Sequence, residues 1–388
     1  MPKPLRLGIA GLGAAARQIL PRAAKSAAIE LAAAADIRPE ARAEFEAKYG
    51  RKAYPSVQTL CESGEIDAVW IATPNVFHAE HTVTAAQCGK HIIVEKPTAV
   101  TLAEAQQMIA AADRHGVRLV QGHSKIYGPA IKKMREIVAS SALGRPIQIN
   151  SWNFNDWLQR PRLASEVDTK IGGGVCLRQG PHQVDIVRYL GGGRVKSVRA
   201  ITGRADPHFS TEGDYTAFLE FEDGAAATLA FNGYGYFDAA ELTWGIGEGG
   251  KRLNEAQAYA RKARLKGAVD QDYKYANPRT TEERTGRERS GQSFFGLTVV
   301  ACERGVIRQS PQGLLVYGED GREEIACPPD QGRAAELNEL SEAVAQDRPV
   351  FPDGRWGMAS LEVCLAMLQS SNERREITLS HQVACPDV

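Results

Sequence analysis

The sequence lacks the features that mark membrane-spanning, secreted and zinc-binding proteins. In its 388 residues no apolar run approaches the roughly 18 residues of a membrane-spanning helix. The first residues run directly into a strand pattern, without the separate apolar region of a signal peptide. The seven cysteines are scattered, and none forms a Cys-x-x-Cys pair. We therefore expect free thiols in a reducing cytoplasm, no membrane association and no metal site.

Net charge is also absent. The 47 Lys and Arg residues balance the 47 Asp and Glu residues, so the formal charge is zero. Nothing global therefore indicates nucleic acid or an anionic membrane surface as a partner. The length exceeds what one hydrophobic core usually supports, and we expect two domains, residues 1–124 and 125–388.

What the sequence does contain begins with a glycine motif between a strand pattern and a helix pattern. Gly11, Gly13 and Ala16 form the spacing Gly-x-Gly-x-x-Ala. Gly11 permits a tight turn, Gly13 lets the backbone approach a pyrophosphate, and Ala16 lets the helix pack closely on the strand. The N–H groups at the start of the helix, at Ala14 and Ala15, are then available to phosphates.

A carboxylate follows at the spacing that dinucleotide sites use. The second strand pattern ends in Asp36, about 20 residues after the glycines, where a ribose 2′-hydroxyl would be bound. Asp36 would repel a 2′-phosphate, so the sequence favours NAD over NADP. Arg38 keeps NADP open as the less favoured cofactor. The alternative for Asp36 is a structural one, as the N-cap of a helix that begins near Pro39.

Strands and helices keep alternating along the first 124 residues. This predicts an α/β domain, a doubly wound parallel sheet that binds NAD. The strand at residues 68–72 ends in a loop that we expect to lie along the cofactor, and this loop contains Thr73, Pro74, Asn75 and, one turn later, His78.

A lysine stands at the end of a buried strand. Residues 92–94 are apolar, and the run stops at Glu95, Lys96 and Pro97. Because proline excludes the helical conformation before it and donates no ladder hydrogen bond, the strand ends there. Lys96 thus lies at the carboxyl end of a parallel strand, where open α/β sheets bind ligands. Its ammonium is a candidate acid, base or charge stabiliser; a solvated loop lysine is the alternative.

The second domain reads differently. Strand patterns follow one another at residues 147–154, 195–202, 215–221, 225–231 and 242–246, and again within 294–316. They predict an α+β domain with a large, mainly antiparallel open sheet. One face should pack on helices and the other in a subunit contact, so we expect a homodimer or homotetramer. The polar residues 251–290 predict an exposed insertion. Residues 333–371 contain helix patterns that we expect to pack back on the rest of the protein.

A glycine-rich segment carries a histidine. Three glycines at 172–174 permit close backbone approach, and a helix pattern follows with Arg178, His182 and Asp185 at i, i+4 and i+7. A histidine on a helix that faces a cleft exchanges protons near neutral pH. The alternative is a core histidine bonded to a backbone carbonyl.

Basic residues surround that segment. Arginine suits bidentate binding of carboxylates, so cations beside a glycine-rich cleft indicate an anionic substrate. For Arg160 and Lys170 taken singly, solvated surface charge is the favoured alternative. The candidate substrate-binding residues are Arg160, Arg162, Lys170 and Arg178, with Asn155 and His123 as polar neighbours.

Together these motifs resemble the glucose-fructose oxidoreductase / inositol dehydrogenase (Gfo/Idh/MocA) family. The matching elements, in order, are the glycine motif at 11–16, Thr73 to His78, Glu95-Lys96-Pro97, and the segment 172–185. The resemblance spans residues 5–375. It implies a Rossmann domain, an α/β domain whose sheet makes dimer contacts, and NAD(P). It also implies that Lys96 and His182 line the reacting carbon, that Glu95 belongs to the cofactor site, and that the Lys96–Pro97 bond is often cis.

One position departs from the family pattern. The family usually has an Asp four residues before the histidine, and here that residue is Arg178. Segments 155–162 and 178–185 are similar to dehydrogenases that oxidise the cis-4,5-dihydrodiol of phthalate to 4,5-dihydroxyphthalate. The alternatives are another acidic ring such as a semialdehyde hemiacetal, a sugar or inositol, or an NAD-sensing regulator without activity. Retention of Lys96 and His182 disfavours the regulator.

Overall fold

The computed structural model describes residues 3–160, 162–253 and 289–386. The chain divides into two compact units, Met1–Ser124 with Gln331–Leu361, and Lys125–Asp330 with Glu362–Val388. The sequence-based division placed all of 125–388 in the second domain, whereas residues 331–361 belong with the first unit. Most of the predicted insertion, residues 254–288, lies outside the described residues.

The first unit contains a six-stranded parallel sheet, as the alternating pattern predicted. Its strands are β1 Leu5–Ala10, β2 Ile29–Ala35, β3 Lys52–Tyr54, β4 Ala68–Ile71, β5 His91–Glu95 and β6 Leu119–Gly122. Their order is β3-β2-β1-β4-β5-β6, with every pair parallel. Strands covered on both faces need apolar residues at successive positions, and Ile92, Ile93 and Val94 are all fully buried.

Helices connect these strands. They are α1 Ala14–Ala23, α2 Pro39–Tyr49, α3 Val57–Glu62, α4 His78–Gln87 and α5 Leu102–His115. The local signals explain their ends. Thr101 caps the Glu104 N–H while the Glu104 carboxylate accepts from the Thr101 N–H, and α5 ends at Gly116 in the left-handed conformation, with φ of 63°.

The second unit contains a nine-stranded mixed sheet. Its strands are β7 Pro146–Phe154, β8 Val195–Gly203, β9 Asp214–Phe221, β10 Ala226–Asn232, β11 Leu297–Cys302, β12 Gly305–Gln309, β13 Gly313–Gly318, β14 Gly321–Ala326 and β15 Ile377–Thr378. The order is β14-β13-β12-β11-β7-β10-β9-β8-β15. The sheet is mainly antiparallel, as predicted, and β7 pairs with β10 in parallel.

Three helices accompany this sheet: α6 Pro129–Ala139, α7 Gly174–Arg178 and α8 Gly180–Leu190. All 11 residues of α8 are buried. From α8 the Gln183 amide donates to the Ser151 carbonyl of β7 at 2.7 Å. Apolar positions alternate along β10, where Ala227, Leu229 and Phe231 face inward. One face of the sheet therefore carries the core.

The predicted strand at 242–246 is wrong. Residues Ala239–Thr243 form a short 3-10 helix instead. Asp238 caps it by accepting from the Ala240 N–H at 2.9 Å, and the Thr243 hydroxyl donates to the Ile246 carbonyl at 2.8 Å. These local side-chain bonds outweigh the strand propensity of an isolated apolar run.

The other face of the sheet exposes large apolar side chains. Trp152, Ile201 and Phe218 are 44%, 65% and 48% exposed. The register places Trp152 opposite Ala230 on β10 and Leu297 on β11. An apolar row thus crosses the middle of this face.

Two C-terminal helices follow, α9 Ala334–Ala345 and α10 Gly354–Glu373. Leu337, Leu340 and Ala343 of α9 join the core of the first unit with Ile19 of α1 and Ile93 of β5. Hydrophobic contact thus explains why this distant segment belongs to the first unit. No helix in the described ranges is both long and apolar enough to cross a bilayer.

Candidate active site

The glycine turn of the first unit has the geometry that a pyrophosphate requires. Gly11 has φ of 90°, and a Cβ there would lie 2.8 Å from the Ala72 carbonyl oxygen. Only glycine fits this position. Helix α1 begins right after Gly13, and no side chain in the described part caps its first turn. The N–H groups of that turn, including those at Ala14 and Ala15, suit a phosphate.

Asp36 lies against this turn rather than at a helix cap. Its carboxylate accepts from the Leu12 N–H at 2.8 Å and from Arg38 Nε and Nη2 at 3.0 Å each. The N-cap residue of α2 is Arg38, so the capping alternative for Asp36 is not what the structure has. Burial raises the pKa of Asp36, but the hydrogen bonds from Arg38 and Leu12 outweigh it and lower the pKa. The residue is an anion, which fits NAD better than NADP.

His78 joins two loops at the carboxyl edge of the sheet. Its side chain is fully buried. Nδ1 lies 2.9 Å from the Pro97 carbonyl oxygen and Nε2 lies 3.0 Å from the Thr73 carbonyl oxygen. The Thr73 hydroxyl lies 2.9 Å from His81 Nδ1. His78 therefore links the turn after β5 to the loop of Thr73, and its role in binding the cofactor stays a prediction. Pro74 precedes this loop's 3-10 turn and Asn75 starts it, 9% exposed.

Ion pairs among Glu95, Arg333 and Glu336 stabilise the turn that contains Lys96 and Pro97. Strand β5 ends at Glu95, and the Lys96–Pro97 peptide is cis, as the family resemblance implies. Glu95 pairs with Arg333, whose Nε lies 3.0 Å from a Glu336 carboxylate oxygen. Arg333 also lies over the Trp70 ring, 5.0 Å from its centroid. The ion pair with Arg333 thus holds Glu95, and with it the backbone that leads into Lys96, in place.

A buried amide braces the same turn. The Gln121 side chain is fully buried. It accepts from the Thr98 hydroxyl at 2.6 Å, and its Nε2 lies 3.4 Å from the carbonyls of Val94 and Glu95. Two residues later His123, another predicted site residue, is 2% exposed. The backbone at Lys96 therefore lies in a turn that buried hydrogen bonds hold in place.

In the second unit, three of the four predicted cations come together. Arg178 Nη2 donates to Glu166 at 2.9 Å, and Arg162 Nη1 lies 3.8 Å from the same carboxylate oxygen. Arg160 Nε donates to Asp156 at 2.9 Å. We call Arg160, Arg162 and Arg178 the arginine cluster. The fourth cation, Lys170, is exposed on a separate 3-10 turn.

The three arginines do not have the same electrostatic surroundings. Burial lowers the pKa of Arg162 to about 9. The carboxylates of Glu166 and Asp156 oppose this effect, and the neighbouring Arg160 and Arg178 charges add to it. At Arg160 burial also acts to lower the pKa, but the carboxylates of Asp156, Glu248 and Asp238 outweigh it and raise the pKa. Nearby carboxylates therefore compensate the charge of Arg160 more fully than that of Arg162.

Arg178 and His182 are not on one continuous helix, contrary to the sequence-based prediction. Arg178 ends α7, and α8 begins at Gly180 with Pro181 in its first turn. Proline donates no backbone hydrogen bond, so it starts a new helix there. His182 is 9% exposed, and Asp185, fully buried, points into the unit.

The Phe295 ring lies in contact with both His182 and Lys125. The His182 and Phe295 ring centroids are 5.1 Å apart, and Lys125 Nζ lies 5.3 Å above the Phe295 ring. Lys125 Nζ is also 3.7 Å from Glu248. Asn155 accepts from the Trp157 N–H at 2.9 Å, which makes it a loop-shaping residue.

Sequence reasoning missed several partners of the predicted residues. Glu166 could have been found, because it follows Arg162 by four residues. Gln121 carried a signal as the polar residue of an otherwise apolar strand. Arg333 and Phe295 carried none, since they lie far along the chain from Glu95 and His182. Within the described ranges no cluster of His, Cys, Asp or Glu suits a metal ion.

Comparisons with known proteins agree with this geometry. Residues 5–123 match a family model described as an oxidoreductase family with an NAD-binding Rossmann fold, and residues 131–247 match the GFO/IDH/MocA C-terminal domain. The 1-carboxy-3-chloro-3,4-dihydroxycyclo hexa-1,5-diene dehydrogenase of Comamonas testosteroni is 33% identical over 98% of this chain and 98% of its own length.

Solved structures share the whole architecture. A crystal structure from Bordetella bronchiseptica RB50 has a TM-score of 0.89 and 36% identity, covering 97% of this chain and 100% of that one. The WlbA dehydrogenase of Bordetella pertussis, in complex with NADH and UDP-GlcNAcA, has a TM-score of 0.71, 20% identity and coverage of 97% and 99%, a likeness of fold. The chain is an oxidoreductase with NAD as its cofactor, and it belongs to the Gfo/Idh/MocA family.

Proposed function

We propose that this protein oxidises a cis-dihydrodiol whose ring carries a carboxylate. The observation that carries the proposal is the arginine cluster, in which Arg162 and Arg178 share the single carboxylate of Glu166. A neutral sugar or inositol would leave two largely buried guanidinium groups with one negative charge between them, whereas a ring carboxylate would supply the second. The sequence resemblance predicts the cis-4,5-dihydrodiol of phthalate as the substrate within this class.

The Comamonas relative supports the substrate class. Its name describes a dihydroxycyclohexadiene with one carboxyl group. The shared length of the two chains makes an acidic ring diol a reasonable substrate here as well. A myo-inositol 2-dehydrogenase of Thermotoga maritima matches only 51% of this chain, at 28% identity, so it offers less support for a polyol.

In the reaction that we propose, NAD⁺ accepts a hydride from one carbinol carbon of the diol. Lys96 or His182 takes the proton of that hydroxyl group, so the carbon becomes a ketone carbon. The hydroxy-dienone then tautomerises: the remaining carbinol carbon loses its proton and the ketone oxygen gains one, which gives an aromatic catechol. For the phthalate diol the product is 4,5-dihydroxyphthalate. Aromatisation drives the overall step toward the product.

The anchors of the Lys96 turn support the role of that lysine. Lys96 follows a strand end that Gln121, His78 and the Glu95–Arg333 pair hold in place. A lysine whose backbone is held in place loses little freedom when its side chain meets a hydroxyl group, and in its neutral amine form it can accept the hydroxyl proton. The arginine cluster would bind the ring carboxylate and so select which hydroxyl group is oxidised.

The test is a substrate panel with the purified chain and NAD⁺, followed by NADH absorbance. We expect turnover of carboxylated cis-dihydrodiols, with one catechol formed per NADH. Neutral cis-dihydrodiols and myo-inositol should react far more slowly. Efficient oxidation of inositol or a hemiacetal, with no turnover of any carboxylated diol, would contradict the proposal.

We also propose that the chain forms a homodimer or homotetramer through the open face of the nine-stranded sheet. Trp152, Ile201 and Phe218 form an apolar area there, and such areas on soluble proteins mark contacts. The seven free thiols favour a reducing cytoplasm as the place of action.

A further inference from the structure

We propose that the arginine cluster holds one ring carboxylate, bound at Arg162, and that Glu166 sets this number by neutralising the neighbouring charge. Glu166 is thus a specificity-determining residue, and the preferred substrate is a ring monoacid rather than a vicinal diacid such as the phthalate diol. The inference rests on the proposed function and refines its substrate class.

Arg162 has the geometry of an anion anchor. Its Nε donates to the Trp157 carbonyl at 2.9 Å, and its guanidinium lies 4.1 Å from the centroid of the Trp157 ring. The side chain is 11% exposed, so its orientation is fixed inside the protein. The Glu166 oxygen lies 3.8 Å from Nη1, beyond hydrogen-bond distance. Within the described ranges, the terminal nitrogens therefore keep donors for a carboxylate.

Glu166 is held as firmly as the arginines. Its side chain is 6% exposed. One carboxylate oxygen accepts from Arg178 at 2.9 Å, and the other accepts from the Leu163 N–H at 2.8 Å. The backbone bond prevents the carboxylate from swinging away when a substrate arrives. One fixed negative charge is therefore shared by two guanidinium groups.

The third arginine adds no free charge. Arg160 is bonded to Asp156 at 2.9 Å, and Glu248 and Asp238 also act on it. A second carboxylate on a neighbouring ring carbon would have to displace Glu166 or Asp156 from its arginine. Two carboxylates forced together in a buried place repel each other. The site thus disfavours a vicinal diacid.

The experiment compares two substrates on each of three enzymes. The substrates are the cis-3,4-dihydrodiol of benzoate and the cis-4,5-dihydrodiol of phthalate, which differ by one ring carboxylate. The enzymes are the unmodified chain, Glu166→Gln and Glu303→Gln. Glu303 is the control, because it accepts from Arg145 at 2.9 Å in an exposed pair of the same unit. The readout is the ratio of kcat/KM for monoacid and diacid, which does not depend on the fraction of enzyme that is folded.

We expect the unmodified enzyme to prefer the monoacid by about tenfold or more, which corresponds to 1.4 kcal/mol. Glu166→Gln should move the ratio toward the diacid by about tenfold, because it releases one guanidinium charge. Glu303→Gln should keep the ratio of the unmodified enzyme. A ratio that is the same in Glu166→Gln and in the unmodified enzyme would overturn the inference and leave the proposed function intact.

The proposed function fails separately, through absence of turnover on both diols. Should Glu166→Gln not fold, competitive inhibition of the unmodified enzyme still decides the question. Benzoate should then inhibit more strongly than phthalate. Stronger inhibition by phthalate would overturn the inference.

Discussion

Replacing Arg162 by Gln isolates what one guanidinium group contributes to recognition of an acidic substrate. The substitution removes the charge and the terminal donors while it keeps part of the side-chain volume over the Trp157 ring. The matched control is Arg145→Gln, which removes an exposed arginine whose Nε donates to Glu303 at 2.9 Å. Both variants lose one charge from the second unit, but only one of them loses it from the arginine cluster.

The magnitude follows from the contacts of the cluster. Removing one partner of a buried, hydrogen-bonded charge pair costs about 2–5 kcal/mol. The lower end applies because Arg178 remains beside the bound carboxylate. A loss of about 2–3 kcal/mol lowers kcat/KM by roughly 30- to 150-fold, at 1.4 kcal/mol per factor of ten. The contact is made in ground and transition state alike, so the change should fall mainly on KM.

The assay measures initial rates of NADH formation with a carboxylated cis-dihydrodiol and with the same diol lacking the carboxylate. Arg162→Gln should reduce kcat/KM for the acid by the factor above and change the neutral diol less than about threefold. Arg145→Gln should change neither substrate. Equal losses on the acidic and the neutral diol would refute the assignment of Arg162 to the carboxylate, because they would report only damage to the fold.

Three further substitutions test other parts of the account. Lys96→Ala should lower kcat by roughly 10²- to 10⁴-fold with little change in NAD affinity, measured by NADH fluorescence titration; near-normal turnover would remove the lysine from proton transfer. Asp36→Asn should raise kcat/KM for NADP relative to NAD by about tenfold or more, because a 2′-phosphate no longer meets an anion, and an unchanged ratio of the two cofactors would contradict this. Trp152→Lys should shift the sedimenting species to a smaller size, whereas Leu242→Lys, at a residue 40% exposed outside the sheet, should not; an unchanged size would move the subunit contact elsewhere.

The first unit was predictable because its signals are local. The glycine turn, the capping box of α5 and the proline after Lys96 each act within a few residues. The structures that such local signals specify depend little on contacts with distant parts of the chain. The positions of Asp36 and Lys96 at strand ends followed from the same reasoning.

The second unit was less predictable because its pairings are distant in sequence. The parallel contact of β7 with β10 joins residues such as Asn150 and Thr228, which no local pattern specifies. The short strand propensity at 242–246 was outweighed by the side-chain caps of Asp238 and Thr243. Local propensity decides little where tertiary contacts compete.

The sequence named the arginines of the candidate site but not the carboxylates that pair with them. The pairing with Asp156 and Glu166 changes the charge that the arginine cluster presents. The helix break between Arg178 and His182 had a visible signal in Pro181, which the spacing argument passed over. Partners from far along the chain, such as Arg333 at Glu95, require the folded structure.

The most direct test of the central claim is a crystal structure of the protein with NAD and a ring monocarboxylate, such as 3,4-dihydroxybenzoate, the catechol product of the 3,4-dihydrodiol of benzoate. The account predicts the carboxylate within hydrogen-bond distance of the Arg162 terminal nitrogens, with Glu166 still bonded to Arg178. A carboxylate bound away from Arg162, with only hydroxyl groups facing the arginine cluster, would contradict it.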